Sequence, residues 1–176
     1  MKNVLVTLLL GAMAAAVAGA EVKTKEIDYK AGSAIYQGFL AWDDAKSGKS
    51  PGVIVVHEWW GHNEHARNQA RRLARDGYVA FALDMYGKGK VATHPDDAKA
   101  FMAEATRDGA AMNVRFQAAL AELKKSPVVD AEKIAAIGYC FGGAVVLGRA
   151  RAGDDLDAVV SFHGSLETQS PAAAGK

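Results

Sequence analysis

The sequence predicts an α/β domain built on a doubly wound, mostly parallel sheet, with an antiparallel hairpin at its N-terminal side. Three observations predict it. Short apolar runs without polar alternation recur along the chain and suit strands covered on both faces. Segments with helical spacing and capping residues separate those runs, the order expected of a wound sheet with right-handed crossovers. Before the first such run, a loosely alternating stretch carries a turn signal at its centre.

Residues 1–20 stand apart. Lys2 precedes an uncharged apolar run from Val4 to Val17, which Ala18-Gly19-Ala20 follows as an A-x-A site. This is the pattern of a signal peptide, shorter than the ~20 apolar residues that span a bilayer. Export is therefore expected, to a periplasmic or secreted location, with the mature chain starting near Glu21 and no membrane association after cleavage.

From Glu21 to Trp42, Val22, Ile27, Tyr29, Ile35, Phe39 and Leu40 alternate around Ala31-Gly32, which predicts the hairpin. Residues 43–52 are polar and end in Pro51-Gly52, which predicts a surface loop. The apolar runs follow at Val53 to His57, Tyr78 to Leu83, Ile134 to Ile137 and Ala158 to Phe162. Between the first two, Asn63 can cap a helix whose apolar side carries Ala66, Ala70, Leu73 and Ala74, and Gly77 follows its end. Pro95, Asp96 and Asp97 mark a second helix start, with the acids near the positive end of the dipole. Met112, Phe116, Ala119, Leu120 and Leu123 form the apolar stripe of a third.

With 176 residues, half of them apolar, residues 21–176 are expected to form one domain. The 21 basic and 20 acidic side chains nearly cancel, which leaves no field for nucleic acid or an anionic membrane surface. A small-molecule partner is expected. The chain has a single cysteine, so the thiol is no internal staple even in an oxidising compartment.

That cysteine lies in Gly138-Tyr139-Cys140-Phe141-Gly142, directly after one predicted strand and before a helix. G-x-C-x-G in this setting is a nucleophile elbow with cysteine in the place of serine. Its glycines permit a strained turn that lifts the nucleophile above the sheet. At a helix start the thiol also lies near unpaired N–H groups, which favours the thiolate. A buried cysteine in a tight turn is the competing reading.

An earlier strand leads into His57-Glu58-Trp59-Trp60-Gly61, the position of the second oxyanion donor in folds built around such an elbow. The backbone N–H groups of Trp59 and Phe141 are thus the candidate oxyanion hole. Glu58 is a carboxylate at a buried strand end, costly unless paired or functional; it reads either as a group that holds the resting thiol or as a solvated loop acid. His163 follows a later strand at the same edge and is a candidate for the pocket or for a substitute base. Asp154, Asp155 and Asp157 precede that strand and fall at the opposite end.

His57, Glu58, His62, Glu64 and His65 cluster in sequence, but without the paired histidines four apart on one helix that a zinc protease needs. No metal is expected. The glycines also lack the G-x-G-x-x-G arrangement of a dinucleotide site, and no cofactor is expected.

At H-E-W-W-G, at Leu83-Asp84-Met85-Tyr86-Gly87 and at G-Y-C-F-G-G, the chain resembles the dienelactone hydrolase family. The resemblance runs from the hairpin to Phe162. It implies an α/β-hydrolase fold and hydrolysis of a lactone or carboxylic ester through an acyl-cysteine. Cys140 is then the nucleophile, and Glu58 matches the carboxylate that contacts the resting thiol. The family's Asp and His, which follow the nucleophile on loops after later strands, are not matched in these residues, nor are its anion-binding arginines identified with Arg107 or Arg115. The sequence is accordingly expected to be the N-terminal portion of a C-terminally truncated member. A non-catalytic, ligand-binding fragment is the alternative.

Overall fold

A computed structural model describes residues 21–173. The signal-peptide expectation falls on residues 1–20 and lies outside them. Six strands form one sheet in the order β1-β2-β4-β3-β5-β6, with four helices. The first two strands, β1 (Val22–Ala31) and β2 (Ala34–Asp43), are the hairpin. Ala31 pairs with Ala34 across a two-residue loop, and Gly32 takes the left-handed conformation (φ +63°) that such tight loops favour.

β2 runs antiparallel to β4 (Val79–Leu83), while β3 (Ser50–Val56), β4, β5 (Val129–Tyr139) and β6 (Ala158–Phe162) are mutually parallel. The first strand of the parallel set begins earlier than expected. Ser50, Pro51 and Gly52 belong to β3 and not to the preceding loop. Pro51 is accommodated because pairing with β4 starts only at Gly52, and the register with β5 shifts between Pro51 and Gly52. The missing proline N–H thus falls at a strand start and a ladder irregularity, where a sheet tolerates it.

Alternation along the strands divides the core. Phe39, Ala41, Val55, Ala80 and Ala82 face α1 (Glu64–Arg75), which contributes Ala66, Ala70 and Ala74. The small side chains let that helix lie close to the sheet. Its start is set by Asn63, whose side chain accepts from the N–H groups of His65 and Ala66. Leu40, Ile54, Val56, Phe81, Leu83 and Ala136 belong to the other layer, with Phe116, Leu120 and Leu123 of α3 (Gly109–Lys124) and Val145 and Val146 of α4 (Phe141–Ala152). α2 (Pro95–Thr106) starts at the predicted proline and packs on α3.

The expectation that every parallel strand is covered on both faces fails at β6. Val160 and Phe162 are 45% and 44% exposed. They neighbour Ile137 and Tyr139 across the ladder, on the face that α1 covers over β2, β3 and β4. Among the described residues β6 is an edge strand, paired only with β5.

Candidate active site

The carboxyl ends of the four parallel strands meet at one edge of the sheet, where ligands of wound sheets bind. β3 delivers His57 and Glu58, β4 delivers Asp84, β5 delivers Cys140 and β6 delivers His163. The aspartates excluded on sequence grounds have structural partners instead. Asp154 forms a two-pronged pair with Arg149 (2.6 and 2.7 Å), and Asp157 accepts from the Ile134 N–H (2.7 Å).

Cys140 is the N-cap of α4, with φ 54° and ψ −115°. Left-handed φ is costly for a residue with a Cβ and persists where surrounding contacts enforce it. The enforcing contacts are visible. The Cys140 N–H donates to Phe162 O (2.9 Å), and the Cys140 carbonyl accepts from Gly143 and Ala144 (3.0 and 3.3 Å). The two elbow glycines are needed for close approach. A Cβ on Gly138 would lie 2.0 Å from Gly142 O, and one on Gly142 would lie 2.4 Å from Val56 O. The thiol is free, half-buried and makes no capping hydrogen bond.

The other non-glycine residue with positive φ among the described residues is His163 (φ 44°), directly after β6. Its backbone is pressed against the elbow. A Cβ on the next residue, Gly164, would lie 2.5 Å from the Gly143 carbonyl carbon. The His163 ring is largely exposed, and its Nε2 lies 3.8 Å from Glu58 Oε1. Structure thus brings Glu58 and His163 together at the mouth of the site. No hydrogen bond joins Glu58 to the Cys140 thiol among the described residues.

The two candidate oxyanion donors are both available. Among the described residues no acceptor takes the N–H of Trp59 or of Phe141. Three aromatic rings pack together: Tyr86 sits edge-on to His57 (4.8 Å between centroids) and 5.6 Å from Phe141. The Tyr86 hydroxyl donates to Trp59 O (3.0 Å). Burial raises the Tyr86 pKa well above the ordinary tyrosine value, with Cys140 adding to the effect, so the hydroxyl stays a donor. On the opposite side, Tyr139 stacks on Phe162 (4.7 Å) and meets His65 edge-on (5.5 Å).

Sequence reasoning named His57, Asp84 and Tyr86 within motifs but gave none of them a role at this edge. Asp84 is buried and accepts from the N–H groups of Tyr86 and Gly87 (2.8 and 2.9 Å), which fixes the turn that carries Tyr86. A polar residue ending a wholly apolar strand was the available signal for both Asp84 and His57. Arg115 donates to Ala105 O (3.1 Å) and borders a separate cavity of about 240 Å³ that shares Tyr86 with the site. Among the described residues no three His, Cys, Asp or Glu side chains gather to hold a metal ion, and no helix is long and apolar enough to cross a membrane.

Residues 36–175 match the model of the dienelactone hydrolase family. The chain belongs to the dienelactone hydrolase family. A putative carboxymethylenebutenolidase of Aquifex aeolicus is 35% identical over 119 residues, which are 65% of this chain and 51% of that protein. The solved structure "m3DLH" is 43% identical with a TM-score of 0.79, covering 83% of this chain and 61% of the other. A dienelactone hydrolase-like promiscuous phosphotriesterase from metagenomic libraries is 42% identical with a TM-score of 0.80, covering 86% and 63%. The chain thus spans about half the length of the curated relatives it matches. The architecture is that of an incomplete α/β-hydrolase fold.

Proposed function

We propose that this chain carries the acylating half of a lactone or carboxylic ester hydrolase, with Cys140 as nucleophile. The observation that supports it most is the enforced left-handed backbone of Cys140 at the start of α4, beside the unengaged N–H groups of Trp59 and Phe141. A thiolate there attacks the substrate carbonyl carbon, and the carbonyl oxygen becomes an oxyanion facing the two N–H groups. Collapse expels the alkoxide, which takes a proton from water, and leaves a thioester on Cys140. Glu58 lies at the mouth with His163, where its carboxylate meets the incoming substrate and where it matches the family's thiol-contacting residue.

Release of the acyl group needs a base that activates water. The family supplies it from an Asp and His beyond the nucleophile, which residues 141–176 do not match. Export to the periplasm or medium is proposed from residues 2–20, and N-terminal sequencing of the exported protein tests it.

The test is the time course of product from an activated ester, a lactone and, given the phosphotriesterase relative, a phosphotriester. A burst of about one equivalent per chain is expected, lost in Cys140→Ala. A burst that survives in a folded Cys140→Ala protein overturns the assignment.

A further inference from the structure

His57 directly follows β3 and is 1% exposed, where an imidazole is costly unless both ring nitrogens find partners. Both do. Nδ1 lies 2.5 Å from Glu58 O, and Nε2 lies 3.1 Å from the Met85 nitrogen. A carbonyl can only accept and a backbone N–H can only donate, so one arrangement satisfies the pair. The ring is neutral, protonated at Nδ1 and bare at Nε2. Burial keeps it so by lowering its pKa below the ordinary histidine value, against weaker opposing effects of the Glu58 carbonyl and Asp84.

The first of these bonds acts on the candidate oxyanion hole through the geometry of one peptide group. Glu58 C=O and Trp59 N–H belong to the same planar trans unit and point in opposite directions. Holding the carbonyl toward the His57 ring therefore aims the Trp59 N–H away from it. Gly61 N–H donates to the same carbonyl (3.2 Å), and Tyr86 holds the carbonyl of the next peptide. Rotating the Trp59 N–H would break bonds on both flanks. The backbone of His57 also borders the other donor, since a Cβ on Gly142, next to Phe141, would lie 2.6 Å from His57 O.

We infer that His57 is a positioning residue of the oxyanion hole: its Nδ1–H bond to the Glu58 carbonyl aims the Trp59 N–H, and its Nε2 anchors that loop to the end of β4. This rests on the acyl-transfer reading above. It assigns His57 no contact with substrate.

Two reactions at the same sulfur separate this role from a general structural one. Acylation by p-nitrophenyl acetate builds an oxyanion, whereas alkylation by iodoacetamide does not. In His57→Leu the acylation rate is expected to fall by about 10²–10³-fold, the loss typical of one oxyanion donor, with alkylation changing far less. His57→Gln, whose amide offers both a donor and an acceptor, recovers part of the loss. Equal falls in both reactions, or no fall in either, overturn the inference. A wild-type protein that is alkylated but never acylated overturns the acyl-transfer reading itself. A third measurement needs no folded variant beyond His57→Gln for assignment: the ¹⁵N spectrum of the imidazoles should show His57 protonated at Nδ1, and a proton on Nε2 overturns the placement.

Discussion

Replacing Gly142 with alanine puts a methyl carbon 2.4 Å from Val56 O and 2.6 Å from His57 O, both backbone atoms at the end of a central strand. Real Cβ contacts stay beyond about 3 Å, so the start of α4 must move from β3 by at least about 0.6 Å. Overpacking of this kind costs about 1–3 kcal/mol. The helix propensity of alanine offsets up to about 1 kcal/mol of that. Gly148 is the internal control, since it lies in the same helix, is exposed, and has nothing within 4 Å of its would-be Cβ. Gly148→Ala should therefore gain up to about 1 kcal/mol from propensity alone. Because the propensity gain is common to both, their difference isolates the contact at the elbow. Urea unfolding followed by tryptophan fluorescence should place Gly142→Ala about 1–3 kcal/mol below Gly148→Ala. Alkylation of Cys140 should change in the first variant and not in the second. Equal stabilities would refute the close approach of α4 to β3 on which the geometry of the elbow depends.

Other perturbations test the scaffold around the site. The buried His62 has its pKa pushed down to about 3, by burial first, with the Arg67 charge adding to it. The folded value lies below the unfolded one, so its contribution is complete above about pH 6.5 and is lost as pH falls toward 3. The loss reaches about 2 kcal/mol at pH 5. The fall in urea midpoint between pH 7.5 and 5 should be smaller in His62→Gln, and an undiminished fall would place the titration elsewhere. Asp154→Ala strands the mostly buried Arg149 guanidinium and should cost about 3–5 kcal/mol in the same assay. Asn63→Ala removes the side-chain cap of α1 and should cost about 1 kcal/mol, and no loss would show that cap to be idle.

What was legible in the sequence was local. Asn63 as a cap, Gly32 as part of a hairpin turn signal and the elbow glycines each act on neighbours within a few positions, so their spacing alone carries the signal. The turn that carries Cys140 was readable for the same reason. Pro51-Gly52 misled because it has the composition of a turn, and only pairing with β5 shows why a proline is admissible there. The bonds of His57 were not readable at all. Glu58 O is one residue away, but Met85 N follows β4 and reaches the ring only because β3 and β4 are sheet neighbours. The pairing of His163 with Glu58 has the same origin across β3, β5 and β6. The half-exposed face of β6 depends on where α1 lies, which no periodicity within β6 encodes.

The central claim is that Cys140 is the nucleophile, and intact-mass spectrometry of acid-quenched protein after exposure to p-nitrophenyl acetate tests it most directly. The account predicts a single acetyl group, located on the peptide containing Cys140, absent from Cys140→Ala and slowed in His57→Leu. An acetyl group on any other residue, or one that persists undiminished in Cys140→Ala, would contradict it.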